Sequence, residues 1–376
     1  MTSLTSQSAV KQAKCIVIKI GSSLLVNATG ALNQDWLASV AADIVALHTA
    51  GKKIVIVSSG AIALGRDVLG YNKRPFRLEE AQASAAVGQI RLAQAYQSIF
   101  DSHNTAIAQI LLTLDDMENR PRYLNARNTI DALLDKGAVP VINENDTVAT
   151  SEIRFGDNDR LATRVAQMVG ADALILLSDI DGLYTADPRT NDTAKLITCV
   201  ENITPEIETM AGPPSIQGVG CGGMITKIGA AKIALAGGCS MVITNGQAAN
   251  PLARLQAGEA STLFAATSTP LDVRRSWIRG MMAPKGSLYI DDGAVDALKT
   301  GASLLAAGVT DVKGGFNRGD LVAFVATDGA TVGQGLVSYD AADSAQIKGR
   351  RMRDAIEILG YVGRSALVHR NDLVML

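Results

Sequence analysis

Along the first 245 residues, short apolar runs alternate with stretches whose apolar positions return every three or four residues. The runs are CIVIKI (15–20), KIVIVS (53–58), AIAQILL (106–112), AVPVIN (138–143), DALILLS (172–178) and CSMVIT (239–244). Runs that stay apolar without alternating suit strands buried on both faces, and the intervening helical spacing supplies the covering layers. The pattern predicts an α/β fold with an open, mainly parallel sheet sandwiched by helices. In such sheets ligands gather at the carboxyl ends of the strands.

Beyond about residue 272 the texture changes to short strand-like runs punctuated by Gly and Asp turns, as in SLYIDDGA, VKGGFNRGDLVAFVATDGATVGQGLVSY and SALVHRNDLVML. This predicts a small, mostly β module. The stretch between, NGQAANPLARLQAGEASTLFAATSTPLD, carries Pro, Ser and Thr punctuation and reads as the end of one domain plus a linker. The expected domains are 1–268 and 269–376.

Composition narrows the function. At 376 residues the chain is long for one core, which agrees with two domains. Its net charge of −2 argues against a duplex-binding surface, and the C-terminal module is close to neutral, with 13 Lys plus Arg against 12 Asp plus Glu. The four cysteines, Cys15, Cys199, Cys221 and Cys239, form no CxxC pair, so neither a zinc site nor a disulfide framework is indicated. The N-terminus is polar and no run approaches a membrane span, so a soluble cytoplasmic protein is expected.

The unusual residues fall where the strands end. KIGSS leaves the first run, with Lys19 inside an apolar strand and Gly21 in the turn. A buried ammonium needs an anionic partner, and a glycine turn lets backbone N–H groups approach a phosphate. VSSGAIALG leaves the second, where Ser58, Ser59 and Gly60 form either an N-cap or an anion nest. After the fourth comes INEND, and GDNDRLATRVAQMVGA then opens a helix with Asp157, Asn158 and Asp159 at its start. Asn143, Asn145, Asp146 and Asn158 offer donors and acceptors suited to an amino acid. Asp157 reads either as a helix N-cap or as part of an oxygen cluster suited to Mg²⁺. The fifth run delivers LLSDIDGLYTADPR, with Ser178 and Asp179 at its end. GVGCGGMITKIGAAKIALAGG puts a glycine-rich loop before a helix with Lys227 in its first turns, a strong phosphate-loop pattern. His48, His103 and His369 lie outside every motif, and no covalent nucleophile with a His partner is evident. Phosphoryl transfer fits best, because it asks for positioning and charge neutralisation.

In order, KIGSS, VSSGAIALG, LLTLDDM, YLNARNT, VPVINENDTVAT, FGDND, LLSDIDGLYTADPR and GCGGMITK resemble the glutamate 5-kinases of the amino acid kinase superfamily. SLYIDDGA, GASLLAAGV, GGFNRGD and LGY resemble the PUA domain that ends many bacterial members. The resemblance implies ATP- and Mg²⁺-dependent phosphorylation of the side-chain carboxylate of L-glutamate to L-glutamyl 5-phosphate, the first step of proline biosynthesis, with feedback inhibition by proline. It also implies a homo-oligomer, dimer or tetramer, and channelling to glutamyl phosphate reductase; PUA modules occur in RNA-modifying enzymes, but near-neutral charge without aromatic interleaving argues against RNA binding by this PUA domain. Carried over by position, Lys19 and Lys227 hold the transferring phosphoryl group and Asp159 orients them. Ser59, Asp146 and Asn158 bind glutamate. ATP is bound by Lys19, Gly21, Ser178, Asp179 and the loop Cys221, Gly222, Gly223, Met224, Ile225, Thr226 and Lys227, and Asp157 approaches Mg²⁺, directly or through water. The chain departs from the family pattern at KIGSS, where Leu-Gly-Thr-Ser is common, at Ser178 and Cys221, where Thr is common, and at Asn128, where Asp is usual.

Overall fold

The computed structural model describes residues 4–27, 29–71, 77–148, 158–212, 223–281, 283–361 and 363–376, and they form two compact units that divide between Pro270 and Leu271. The strands of the first unit are β1 (Cys15–Ile20), β2 (Lys53–Ser58), β3 (Ile107–Leu112), β4 (Val139–Glu144), β5 (Ala173–Ser178), β6 (Leu183–Tyr184), β7 (Leu196–Ile197), β8 (Cys199–Val200), β9 (Ser240–Asn245) and β10 (Ser261–Phe264). Eight of them make one sheet in the order β3-β4-β2-β1-β5-β9-β10-β8, while β6 and β7 pair separately. From β3 to β9 all neighbours are parallel, and only β9 and β10 run antiparallel. The six apolar runs are the six strands that form the parallel part.

Alternation along each strand sorts the residues between two cores. Ile16, Ile18 and Ile20 of β1 and Ile54 and Ile56 of β2 face Trp36, Leu37, Val40, Leu92, Tyr96 and Phe100 on the helices Gln34–Thr49 and Leu78–Asp101. Cys15 and Val17 of β1 and Val55 and Val57 of β2 face the other way, toward Leu161, Val165 and Met168 of the helix Asn158–Val169 and Ile228, Ala231 and Ala234 of the helix Met224–Ala236. Each fully buried Val or Ile is worth about 1.5–3 kcal/mol, so the register of β1 is firmly set. Lys19 stands two residues beyond Val17 on this second face. The period of two therefore sends its side chain toward the starts of those two helices.

The stretch read as a domain end plus linker holds more structure than its punctuation suggests. It contains the helix Pro251–Ala257 and β10, which continues the sheet. Ser261 and Thr262 at the start of so short a strand hide it from a hydrophobic-run reading. Thr262 is fully buried, its hydroxyl donating to the Ile197 carbonyl at 2.6 Å and accepting from the Leu183 N–H at 2.7 Å.

On the first face, the helices Ala61–Val68 and Leu78–Asp101 cross backbone to backbone. A Cβ on Gly88 would overlap the Ala61 carbonyl oxygen, and one on Gly65 that of Ser84. Gly88→Ala should therefore lower the denaturation midpoint, costing about 1–3 kcal/mol despite alanine's better helix propensity. A midpoint at or above the wild-type value would show that the helices separate freely.

The second unit carries a five-stranded sheet of β11 (Gly286–Ile290), β12 (Val309–Gly314), β13 (Leu321–Val325), β14 (Thr331–Leu336) and β15 (Leu373–Met375), in the order β12-β11-β13-β14-β15. Its core is its own, built on Leu288, Val322, Phe324, Tyr339, Ile347 and Leu367. Among the described residues no helix is long and apolar enough to cross a membrane.

Candidate active site

The carboxyl ends of β1, β2, β4 and β5 lie side by side on one edge of the sheet, and the starts of the helices Asn158–Val169 and Met224–Ala236 meet them there. Asp159, in the first turn of its helix, is 1% exposed. Lys19 Nζ lies 2.7 Å from its Oδ1 and Lys227 Nζ lies 3.1 Å from its Oδ2. Both lysines are themselves buried. Burial alone would push the Asp159 carboxyl upward, but the Lys19 and Lys227 ammoniums outweigh it and hold the pKa down at about 2. The net charge of this buried trio is +1, and two helix N-termini add to it, so the site is arranged for an anion.

Gly21 follows Lys19 without a side chain, and a Cβ there would stand 3.7 Å from the ammonium. Across the sheet edge, Ser178 ends β5 and its hydroxyl donates to the exposed carboxylate of Asp179 at 3.1 Å. Gly223 is the N-cap residue of the helix Met224–Ala236, and Thr226 folds its hydroxyl onto the Gly223 carbonyl at 2.8 Å. Met224, Ile225 and Thr226 fill the first turn, and Lys227 follows on the face that packs toward the sheet. Cys221, Gly222 and Asp157 lie outside the described residues.

A second group faces the β2 and β4 ends. Gly60 has φ of 103°, a left-handed conformation that glycine adopts cheaply, and it turns the chain from β2 into the helix Ala61–Val68. That turn presents Ser59, whose hydroxyl accepts a hydrogen bond from Asn158 Nδ2. Tyr96, fully buried, donates to Ser58 Oγ at 3.0 Å and braces the same turn from below. Asp146 stands in the loop after β4, partly buried, and burial pushes its pKa up to about 6. A carboxyl in that state takes up a cation readily, because an ammonium would restore its charged form.

The Amino acid kinase family model matches residues 14–245, and the PUA domain model matches residues 286–359. Glutamate 5-kinase from Brucella anthropi is 54% identical over 366 residues, covering 97% of this chain and 97% of that one. Glutamate 5-kinase from Paramagnetospirillum magneticum is 54% identical over 369 residues, covering 98% and 99%. The chain belongs to the amino acid kinase family, on its glutamate 5-kinase branch. Among solved structures, UMP kinase from Ureaplasma parvum aligns over 68% of this chain and 99% of its own, with a TM-score of 0.49 and 14% identity.

In this glutamate 5-kinase family member, Lys19, Asp159 and Lys227 form one buried cluster and Ser59 meets Asn158. Ser178 with Asp179, Asp146, and the first turn beginning at Met224 stand apart from those contacts, on the same sheet edge. Asp187 and Arg189, from the DPR end of LLSDIDGLYTADPR, bond to each other on the surface, with the Arg189 backbone N–H donating to Asp187 Oδ1 at 3.0 Å. Tyr96, which braces the Ser59 turn, and Gln89, whose Oε1 accepts from Asn143 Nδ2 at 2.8 Å, were not legible in the sequence as neighbours of these residues. They lie on an amphipathic helix where an isolated polar group looks like any other.

The pKa of Asp146 gives a test. With an amino-acid ammonium expected at the ionised carboxylate, kcat/KM for the amino acid should fall about tenfold per pH unit as pH drops below the Asp146 pKa of about 6. Asp159, held at about 2, stays ionised throughout that range and contributes nothing to the limb. The limb should vanish in Asp146→Asn, whose KM is raised at every pH; an unaltered limb would remove Asp146 from the binding site.

Proposed function

We propose that this chain transfers the γ-phosphoryl group of ATP to the side-chain carboxylate of L-glutamate, giving L-glutamyl 5-phosphate and ADP, the entry reaction of proline biosynthesis. The observation that carries the proposal is the buried Lys19–Asp159–Lys227 cluster at the sheet edge, in a chain 54% identical to named glutamate 5-kinases over nearly its full length. Glutamate lies with its ammonium at Asp146 and its polar groups at Ser59 and Asn158. ATP lies across Gly21, Ser178, Asp179 and the segment from Cys221 to Lys227.

The glutamate side-chain carboxylate attacks the γ-phosphorus in line. It is already ionised at pH 7, so no general base is needed. Charge on the equatorial oxygens of the transferring group is met by the Lys19 and Lys227 ammoniums. Asp159 holds both ammoniums at a fixed separation before the phosphates arrive. Mg²⁺ accompanies ATP and neutralises phosphate charge when bound. Both oxygens of Asp159 meet lysine ammoniums, and Asp157, the residue expected to approach the ion, lies outside those described. Proline carries an ammonium and an α-carboxylate but no side-chain nucleophile. At Asp146 and Ser59 it would compete with glutamate, in line with the expected feedback inhibition.

The test is ATP-dependent acyl phosphate formation, trapped with hydroxylamine, from glutamate, N-acetylglutamate and aspartate, with and without proline. Hydroxamate should form from glutamate by preference, since N-acetylation removes the ammonium that Asp146 takes. A stronger signal from N-acetylglutamate, or none from glutamate, would contradict the reading.

A further inference from the structure

Asn143, at the end of β4, is 3% exposed, and both arms of its carboxamide are engaged. The backbone N–H of Glu144 donates to Asn143 Oδ1 at 2.9 Å. A backbone amide has only a hydrogen to offer, so this contact fixes which arm of Asn143 is oxygen. The other arm, Nδ2, then donates to Gln89 Oε1 at 2.8 Å. Asn158 Nδ2 approaches the same Asn143 Oδ1 at 3.4 Å and donates to Ser59 Oγ. Polarity thus passes from an unambiguous donor through two amides to a hydroxyl. Ser59 Oγ accepts from Asn158 and keeps its own hydrogen to donate outward, which suits a carboxylate.

Gln89 is the outermost support of this relay, and its place is fixed independently. It follows Gly88, whose missing side chain seats the helix Leu78–Asp101 against the Ala61 carbonyl, two residues from Ser59. One backbone contact therefore locks Gln89 to the turn that presents Ser59.

We propose that Gln89 is a positioning residue for the amino-acid substrate: through Asn143 it holds the Asn158 carboxamide with its nitrogen toward Ser59, so that the Ser59 hydroxyl presents its hydrogen to a substrate carboxylate. The proposal rests on the glutamate kinase reading. Without the Gln89 oxygen, Asn143 Nδ2 is left buried and unpaired, a costly state that favours rotating the amide to another acceptor. Such a rotation carries Oδ1 away from Asn158 and loosens the Ser59 end.

Gln89→Met keeps length and helical compatibility but removes the acceptor, whereas Gln89→Glu keeps it. In Gln89→Met the KM for glutamate should rise about 10-fold, with kcat and the KM for ATP within about twofold of wild type. Gln89→Ala should show the same split. Gln89→Glu should restore the glutamate KM to within about threefold, because its carboxylate still accepts from Asn143. An unchanged glutamate KM in Gln89→Met overturns the proposal. So does a parallel change in kcat and the KM for ATP, the mark of a merely structural residue, or a Gln89→Glu variant as impaired as Gln89→Met. Wild-type enzyme runs beside them: failure to turn over glutamate would refute the kinase reading, whereas an active wild type with an unaltered Gln89→Met refutes the positioning role alone.

Discussion

Lys227→Met is expected to lower kcat at least about 100-fold while changing the KM for glutamate by less than about threefold. The ammonium is buried at the start of a helix and held by Asp159 at 3.1 Å, and on the proposed reading it meets the charge that develops on the transferring phosphoryl group rather than the amino acid. Its stabilisation is felt in the transition state more than in the bound amino acid, which is why kcat should carry the loss. Methionine fills similar volume, and Asp159 keeps Lys19 at 2.7 Å, so the fold should persist. Steady-state kinetics with glutamate and ATP varied separately would decide it, and an unchanged kcat would sink the assignment of Lys227.

Asp159→Asn should have the largest effect on stability of any single change in the site. It leaves two buried ammoniums close together with no counter-charge, at a cost of about 3–5 kcal/mol. Thermal or denaturant unfolding would show the loss, and activity should fall with it because the lysines no longer hold a fixed separation. MgATP supplies the missing negative charge, so it should raise the midpoint of the variant more than that of the wild type. The pH dependence has a definite sign. The folded pKa of Asp159 is depressed from 3.8 to about 2, so its contribution is fully present above 3.8 and is lost as pH falls toward 2. Acid unfolding of the variant should lack that component. A variant as stable as wild type at neutral pH would mean that the three side chains are not buried together.

How much of this was readable in the sequence depended on how residues announce themselves. The six parallel strands and the separate β module were legible because apolar runs between helical spacings have few other fates, although β3, read as buried on both faces, is the sheet's edge strand with only Leu112 buried. Lys19 was legible because an ammonium in the middle of IVIKI needs an anion, and that anion is Asp159. The identity of the partner was not legible from spacing, since Asp159 is remote in sequence and only the alternation of β1 brings them together. Asp146 and Asn158 were read from their donors and acceptors as suited to an amino acid, the expectation for Ser59 came from resemblance, and the relay through Asn143 to Gln89 came from neither route. Its polarity is set by a backbone N–H at one position, a tertiary fact that no local pattern records. The strand β10 escaped because Ser261 and Thr262 satisfy their hydroxyls inside the fold, which makes polar residues serve as buried ones.

The central claim is that the glutamate carboxylate itself is the nucleophile at the Lys19–Asp159–Lys227 site. Glutamate labelled with ¹⁸O in both side-chain carboxylate oxygens, turned over with ATP and trapped with hydroxylamine, tests it directly. Hydroxylamine attacks the carbonyl carbon, so the released phosphate keeps the bridging oxygen. The account predicts one ¹⁸O in each inorganic phosphate, seen as an isotope shift in the ³¹P spectrum, in amount equal to the hydroxamate. Unlabelled phosphate would mean that water, not the carboxylate, takes the phosphoryl group, and would contradict it.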